Sequence, residues 1–147
     1  MNIDKFKRQH TAILAGISRL RSLAHAGIAD NAADIARQIV DISGIVKLHL
    51  SIEDGLLYPE LARSGDQRLA RLGQQYQHEM AGIAQEYFDF VMAWNTADRV
   101  RADPERFRVH ANKALRILYE RMRREDREFY PAVEAAAAAG GMEKPGV

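Results

Sequence analysis

The chain has no cysteine at all, so disulfides, thiolate metal sites and cysteine nucleophiles are excluded. That absence fits a reducing cytoplasm, the compartment expected here. Aromatic residues make up only 7% and prolines number four, and the ten glycines fall mostly at the ends of periodic runs, a pattern that favours an all-helical protein. No apolar stretch approaches the roughly 20 residues needed to span a bilayer. Lys5, Lys7 and Arg8 precede a short apolar run at 12–17, but Arg19 and Arg21 follow and no cleavage-like site appears, so a secretory signal is rejected. A formal net charge of +1 provides no general attraction to nucleic acid or anionic membrane. The arginines of 99–127 alternate with Glu105, Glu120, Glu125, Asp126 and Glu128, as on a solvated helix face laced with ion pairs.

What is present is helical periodicity over 147 residues, enough chain for one domain with one core. Ile3, Phe6, His10, Ile13, Ile17, Leu20 and Ala24 make one stripe of a first helix from Ile3 to Ala26, stopped by Gly27. A second helix follows an Asp30-Asn31 cap and places Ile35, Ile39, Ile42, Val46, His49, Glu53 and Leu57 on one face. Tyr58-Pro59 should loosen its end, because the residue before proline avoids the α region. Ser64-Gly65-Asp66 makes a break and a cap for a third helix from Gln67 to Trp94, and Asp103-Pro104 opens a fourth. Residues 135–139 suit one more short helical piece before Gly140-Gly141 and a frayed tail. Long helices with short links predict an all-α fold, an antiparallel up-down-up-down four-helix bundle occupying 1–131, with 132–147 as a short helical or flexible tail.

Two segments repeat each other 72 residues apart: His49 to Pro59, with Glu53-Asp54 and Tyr58-Pro59, and Arg121 to Pro131, with Glu125-Asp126 and Tyr130-Pro131. The repeat makes the bundle two related helical hairpins. Residues four apart on a helix lie one above the other, so His49 and Glu53 are placed to hold one metal ion together. Gln9-His10 is echoed by Gln77-His78, each about 40 residues before its partner segment. A core ringed by imidazoles and carboxylates suits iron, manganese or zinc. Glu53, set among Ile, Val and Leu, needs a cation to be tolerated there. Tyr58 and Tyr130 read as packing residues that close the hairpins, and His25 and His110 fall at the opposite end of the bundle.

From His10 to Pro131 the chain resembles the hemerythrin-like, or HHE cation-binding, family. The resemblance rests on His49-x-x-x-Glu53-Asp54 with Leu57-Tyr58-Pro59, on His78-Glu79-x-Ala81-Gly82, and on Glu125-Asp126 with Phe129-Tyr130-Pro131. It implies a non-haem di-iron centre with ligands His10, His49, Glu53, His78 and Glu125. It also implies binding or sensing of dioxygen, nitric oxide or peroxide rather than turnover of an organic substrate. Arg121 stands where that pattern has a histidine, and a guanidinium does not ligate metal. Arg121 is expected instead to pair with Glu125 or Glu53, which raises the alternative of a mononuclear or zinc-filled site. His78 lies on the polar side of the third helix, opposite the stripe Leu72, Tyr76, Ile83, Tyr87, Phe90 and Trp94. That stripe is read as core or as the face of a homodimer, and a metal-free bundle serving only protein association is the remaining alternative. A ferritin-type oxidase is disfavoured, since no histidine has a Glu three residues before it.

Overall fold

A computed structural model describes residues 3–139, and all regular structure among them is helical. The order is α1 (Ile3–Ala26), α2 (Ala32–Ile52), a first π-helical turn (Glu53–Leu57), α3 (Tyr58–Ala62), α4 (Gln67–Trp94), α5 (Ala97–Ala102), α6 (Pro104–Arg124), a second π-helical turn (Glu125–Phe129) and α7 (Tyr130–Ala138). The expected tail beyond Gly140 lies outside the described residues.

Local chemistry sets these boundaries. Gly27 ends α1 at a φ of +132°, and Gly65 turns the chain before α4 at +80°, both in the region glycine enters at low cost. Asp66 accepts from the backbone N–H of Arg68 and Leu69 at 3.0 and 3.1 Å, capping α4. Asp103 does the same for α6 through Arg106 N–H at 3.1 Å, with Pro104 in the first turn. The expected Asp30-Asn31 cap is different in kind. Asn31 occupies the cap position of α2, yet its amide donates backwards to Gly27 O at 2.8 Å and so closes the turn after α1. The short α5, not anticipated from sequence, is capped by Thr96 Oγ1 at 3.3 Å from Arg99 N–H.

Tyr58-Pro59 does not loosen the helix end as expected, and Tyr130-Pro131 behaves in the same way. Tyr58 and Tyr130 keep right-handed helical torsions, and the chain runs on into α3 and α7. An α-helix would drive each proline ring against the carbonyl four residues earlier. The preceding turn widens instead: Tyr58 N–H donates to Glu53 O and Tyr130 N–H to Glu125 O, five residues back in each case. Each wide turn starts at the repeated glutamate.

Four long helices pack in a ring, α1 on α2, α2 on α4, α4 on α6 and α6 on α1. Their apolar stripes form one core cluster running from Ile13 and Val46 to Trp94 and Phe107. A second cluster of Ile3, Phe6, Leu57, Leu61, Tyr76, Phe129, Tyr130 and Val133 surrounds the two π turns. Each fully buried Leu, Ile or Phe contributes roughly 1.5–3 kcal/mol. Along α1, the buried His10 lies between Phe6 and Ile13, one residue from each cluster; along α2, His49 lies between Val46 and Leu57 in the same way. Tyr76, Tyr87, Phe90 and Trp94 are buried inside the monomer, so the aromatic stripe of α4 belongs to this core. Trp94 Nε1 donates to His110 Nδ1 at 2.9 Å, which makes His110 a half-buried partner rather than a surface residue.

Candidate metal centre

Five polar side chains are buried together where the clusters meet: His10, His49, Glu53, Arg121 and Glu125, none more than 3% exposed. α1 supplies His10, α2 supplies His49, and the first residue of each π turn supplies a glutamate. His10 and His49 bring their Nε2 atoms to 3.0 Å. Glu125 Oε1 stands 3.0 Å from His10 Nε2, and Glu53 Oε1 stands 3.2 Å from His49 Nε2. Donor atoms of His10, His49 and Glu125 all fall within 4.8 Å of one another, as in a site for a metal ion.

The outer atoms explain how the inner ones are aimed. His10 Nδ1 lies 2.8 Å from Asp126 Oδ1, and His49 Nδ1 lies 2.7 Å from Gln9 Oε1. The Asp126 carboxylate oxygen and the Gln9 amide oxygen are acceptors, so each Nδ1 carries the proton and each Nε2 presents a lone pair inward. Glu53 Oε2 accepts from the Tyr130 phenol at 2.9 Å. Glu125 Oε2 accepts from Arg121 Nε at 3.0 Å. Each carboxylate is thus held by its outer oxygen while its inner oxygen has no hydrogen-bond partner.

Two orphaned carboxylate oxygens and two imidazole lone pairs converging in a buried space repel one another unless a proton or a metal cation lies among them. The donors, two nitrogens and two oxygens, fit a divalent first-row metal. His10, His49, Glu53 and Glu125 are the residues that would hold it.

Ionisation follows the same geometry. Burial and the neighbouring Glu125 push the Glu53 carboxyl above its usual value. Burial also pushes Glu125 upward, but His10 and the Arg121 guanidinium outweigh it and hold Glu125 below the usual carboxylate range. Burial lowers His10, yet Glu125 and Asp126 more than offset that and raise it overall. Burial, Glu125 and Glu53 push the Tyr130 phenol far above its ordinary range, so it stays protonated and can donate. Tyr58, similarly raised, has a buried hydroxyl without a partner beside the same carboxylates.

A family model described as the hemerythrin HHE cation binding domain matches residues 1–133. The chain belongs to the hemerythrin HHE cation-binding family. No curated protein and no solved structure matches it.

Within this hemerythrin-type domain the structure brings together four of the five positions expected from sequence, His10, His49 and Glu125 in one donor cluster and Glu53 through its 3.2 Å approach to His49. The fifth, His78, is exposed on α4 and is not brought to the cluster. The core-facing side of α4 is filled by Tyr76, Met80 and Tyr87, which leaves His78 on the outer side. Arg121 makes the expected ion pair with Glu125. Sequence reasoning did not find Gln9, Asp126 or the hydrogen-bonding part of Tyr130. All three had a signal, because Gln9, Asp126 and Tyr130 belong to the repeated Gln-His, Glu-Asp and Tyr-Pro pairs. The repeat is not symmetric in use, since Asp54 accepts from Gln77 at 3.4 Å rather than holding a histidine.

Proposed function

We propose that this protein holds non-haem metal, with iron the ion best suited, among His10, His49, Glu53 and Glu125, and that it binds or senses dioxygen, nitric oxide or peroxide there. The reading takes the four long helices as an antiparallel up-down-up-down bundle of two related hairpins. The observation that carries it is the pair of inward, unpartnered carboxylate oxygens facing two imidazole lone pairs.

When bound, such an ion supplies a redox couple and a coordination position for a small ligand. The chain's own residues do the rest. Tyr130 and Arg121 fix the two carboxylates, and Asp126 and Gln9 fix the two imidazoles. Phe6 packs edge-on against the His49 ring at 5.7 Å and keeps water from that side. None of the four ligands is more than 1% exposed, which favours a diatomic or peroxide ligand over an organic substrate.

Four nitrogen and oxygen donors also satisfy tetrahedral zinc, so zinc is the second reading. Metal content and the optical spectrum of aerobically purified protein separate the two, because ferric iron absorbs in the near ultraviolet and zinc does not. His49→Ala is expected to lose most of the metal while staying helical. Protein that stays metal-free after repeated loading with ferrous iron would refute both readings.

A further inference from the structure

The second repeat of the chain carries its own cation. Arg121 is buried, and its guanidinium is gripped from several sides: Nε by Glu125 Oε2 at 3.0 Å, Nη1 by Glu79 Oε2 at 3.3 Å, and Nη2 by the Tyr76 carbonyl at 2.6 Å. The guanidinium carbon also sits 4.4 Å from the centre of the Tyr76 ring, a cation–π contact. Its neighbours are themselves fixed. Tyr76 stacks on Phe129 at 4.4 Å and donates to Glu128 at 3.1 Å, and Arg124 clamps Glu79 at 2.8 Å. Arg121 cannot swing aside without breaking this whole arrangement.

Glu125 therefore divides its two oxygens, Oε1 towards the imidazoles and Oε2 towards a guanidinium. Charge counting points the same way. Glu53, Glu125 and Arg121 together leave one net negative charge in the buried space, Asp126, hydrogen-bonded to His10, adds a second at its edge, and Glu79 beside Arg121 is offset by Arg124. One divalent cation neutralises that total. Two would leave an excess of two positive charges in a region shut off from water, at a large desolvation cost.

We propose that Arg121 is a resident cation standing in the place of a second metal, so that the centre takes one ion per chain. This rests on the reading of His10, His49, Glu53 and Glu125 as metal ligands. Arg121 here is a positioning and charge-balancing residue that touches Glu125.

The test is calorimetric titration of metal-free protein with cobalt(II), backed by metal analysis after gel filtration. Wild-type protein is expected to bind one ion per chain. Arg121→Lys, which keeps the charge, is expected to stay at one. Arg121→His removes the fixed charge at neutral pH and offers an imidazole beside Glu125 Oε2 and Glu79; its count is expected to rise towards two. Two ions in wild type, or one ion in a folded Arg121→His, would overturn the proposal while leaving the metal reading intact. No ion in any form would instead bring down the metal reading on which the proposal stands. If Arg121→His does not fold, the wild-type and Arg121→Lys counts decide: one supports the proposal and two refutes it.

Discussion

The phenol of Tyr130 donates to Glu53 Oε2 at 2.9 Å across 77 residues of sequence, so the second repeat directs a carboxylate of the first. Tyr130→Phe removes only that hydroxyl and leaves a buried carboxylate oxygen without its donor. The expected cost to the metal-free protein is about 1–3 kcal/mol. Metal affinity should fall as Glu53 loses its orientation. Urea unfolding and cobalt(II) titration of the variant measure the two effects; wild-type values for both would remove Tyr130 from the site.

Asp126 and Gln9 hold the outer nitrogens of the two histidines at 2.8 and 2.7 Å. Asp126→Ala and Gln9→Ala should each lower metal affinity by roughly 10–100-fold, because the imidazole loses its fixed tautomer and aim. Neither residue is in the apolar core, so helical content by circular dichroism should not change. Affinity equal to wild type in both variants would show that the histidines are not ligands presented through Nε2.

pH should move the metal-free and metal-loaded proteins in opposite directions. His10 has a folded pKa raised above its ordinary 6.5. In the metal-free protein its protonated form contributes stability that is complete below the unfolded value and is lost as pH rises through the folded one. Metal needs the same nitrogen unprotonated, so affinity falls as pH drops through that raised value. The gap in Tm between loaded and metal-free protein should therefore widen from about pH 6 to about pH 8. A constant gap would mean that metal does not compete with the His10 proton.

Gly16 lets α1 pack closely against Ile42 of α2, and these two helices carry His10 and His49. A Cβ there would sit 2.7 Å from Ile42 Cγ1 and 3.1 Å from Gln38 Nε2. Gly16→Ala should cost about 1–3 kcal/mol and weaken metal binding by parting the histidines. Gly82→Ala is the control, with no atom within 4 Å of its Cβ. It should be neutral or stabilise the exposed helix by about 0.5–1 kcal/mol. Thermal melts of both variants check the contrast, and equal melting would refute the close-approach argument.

Much of this arrangement is legible in the sequence, because helical periodicity and i,i+4 spacing are local. His49 with Glu53, the Asp66 and Asp103 caps, and the bounds of α4 follow from residues within one or two turns. Pairings across the bundle are less visible. Nothing near Gln9 indicates that its amide reaches His49 on another helix, or that Asp126 rather than Asp54 holds a histidine. His78 shows how a shared dipeptide misleads. Gln77-His78 repeats Gln9-His10 in letters, but the stripe of α4 around Tyr76, Met80 and Tyr87 turns it outward. Proline chemistry marked Tyr58 as unusual, yet it pointed to a loosened end where the helix instead widens and runs on.

The widened turns settle an oddity of spacing. Five residues along an ordinary α-helix is a rotation that leaves two side chains about 140° apart, so Tyr58 would point away from Glu53 and Tyr130 away from Glu125. Spreading that stretch over a broader coil puts the helix out of phase by nearly one residue. Leu57 and Tyr58, and likewise Phe129 and Tyr130, consequently face inward as adjacent pairs. The widening thereby swings Tyr130 to the inside of its rod, where its hydroxyl reaches Glu53 on the opposite one.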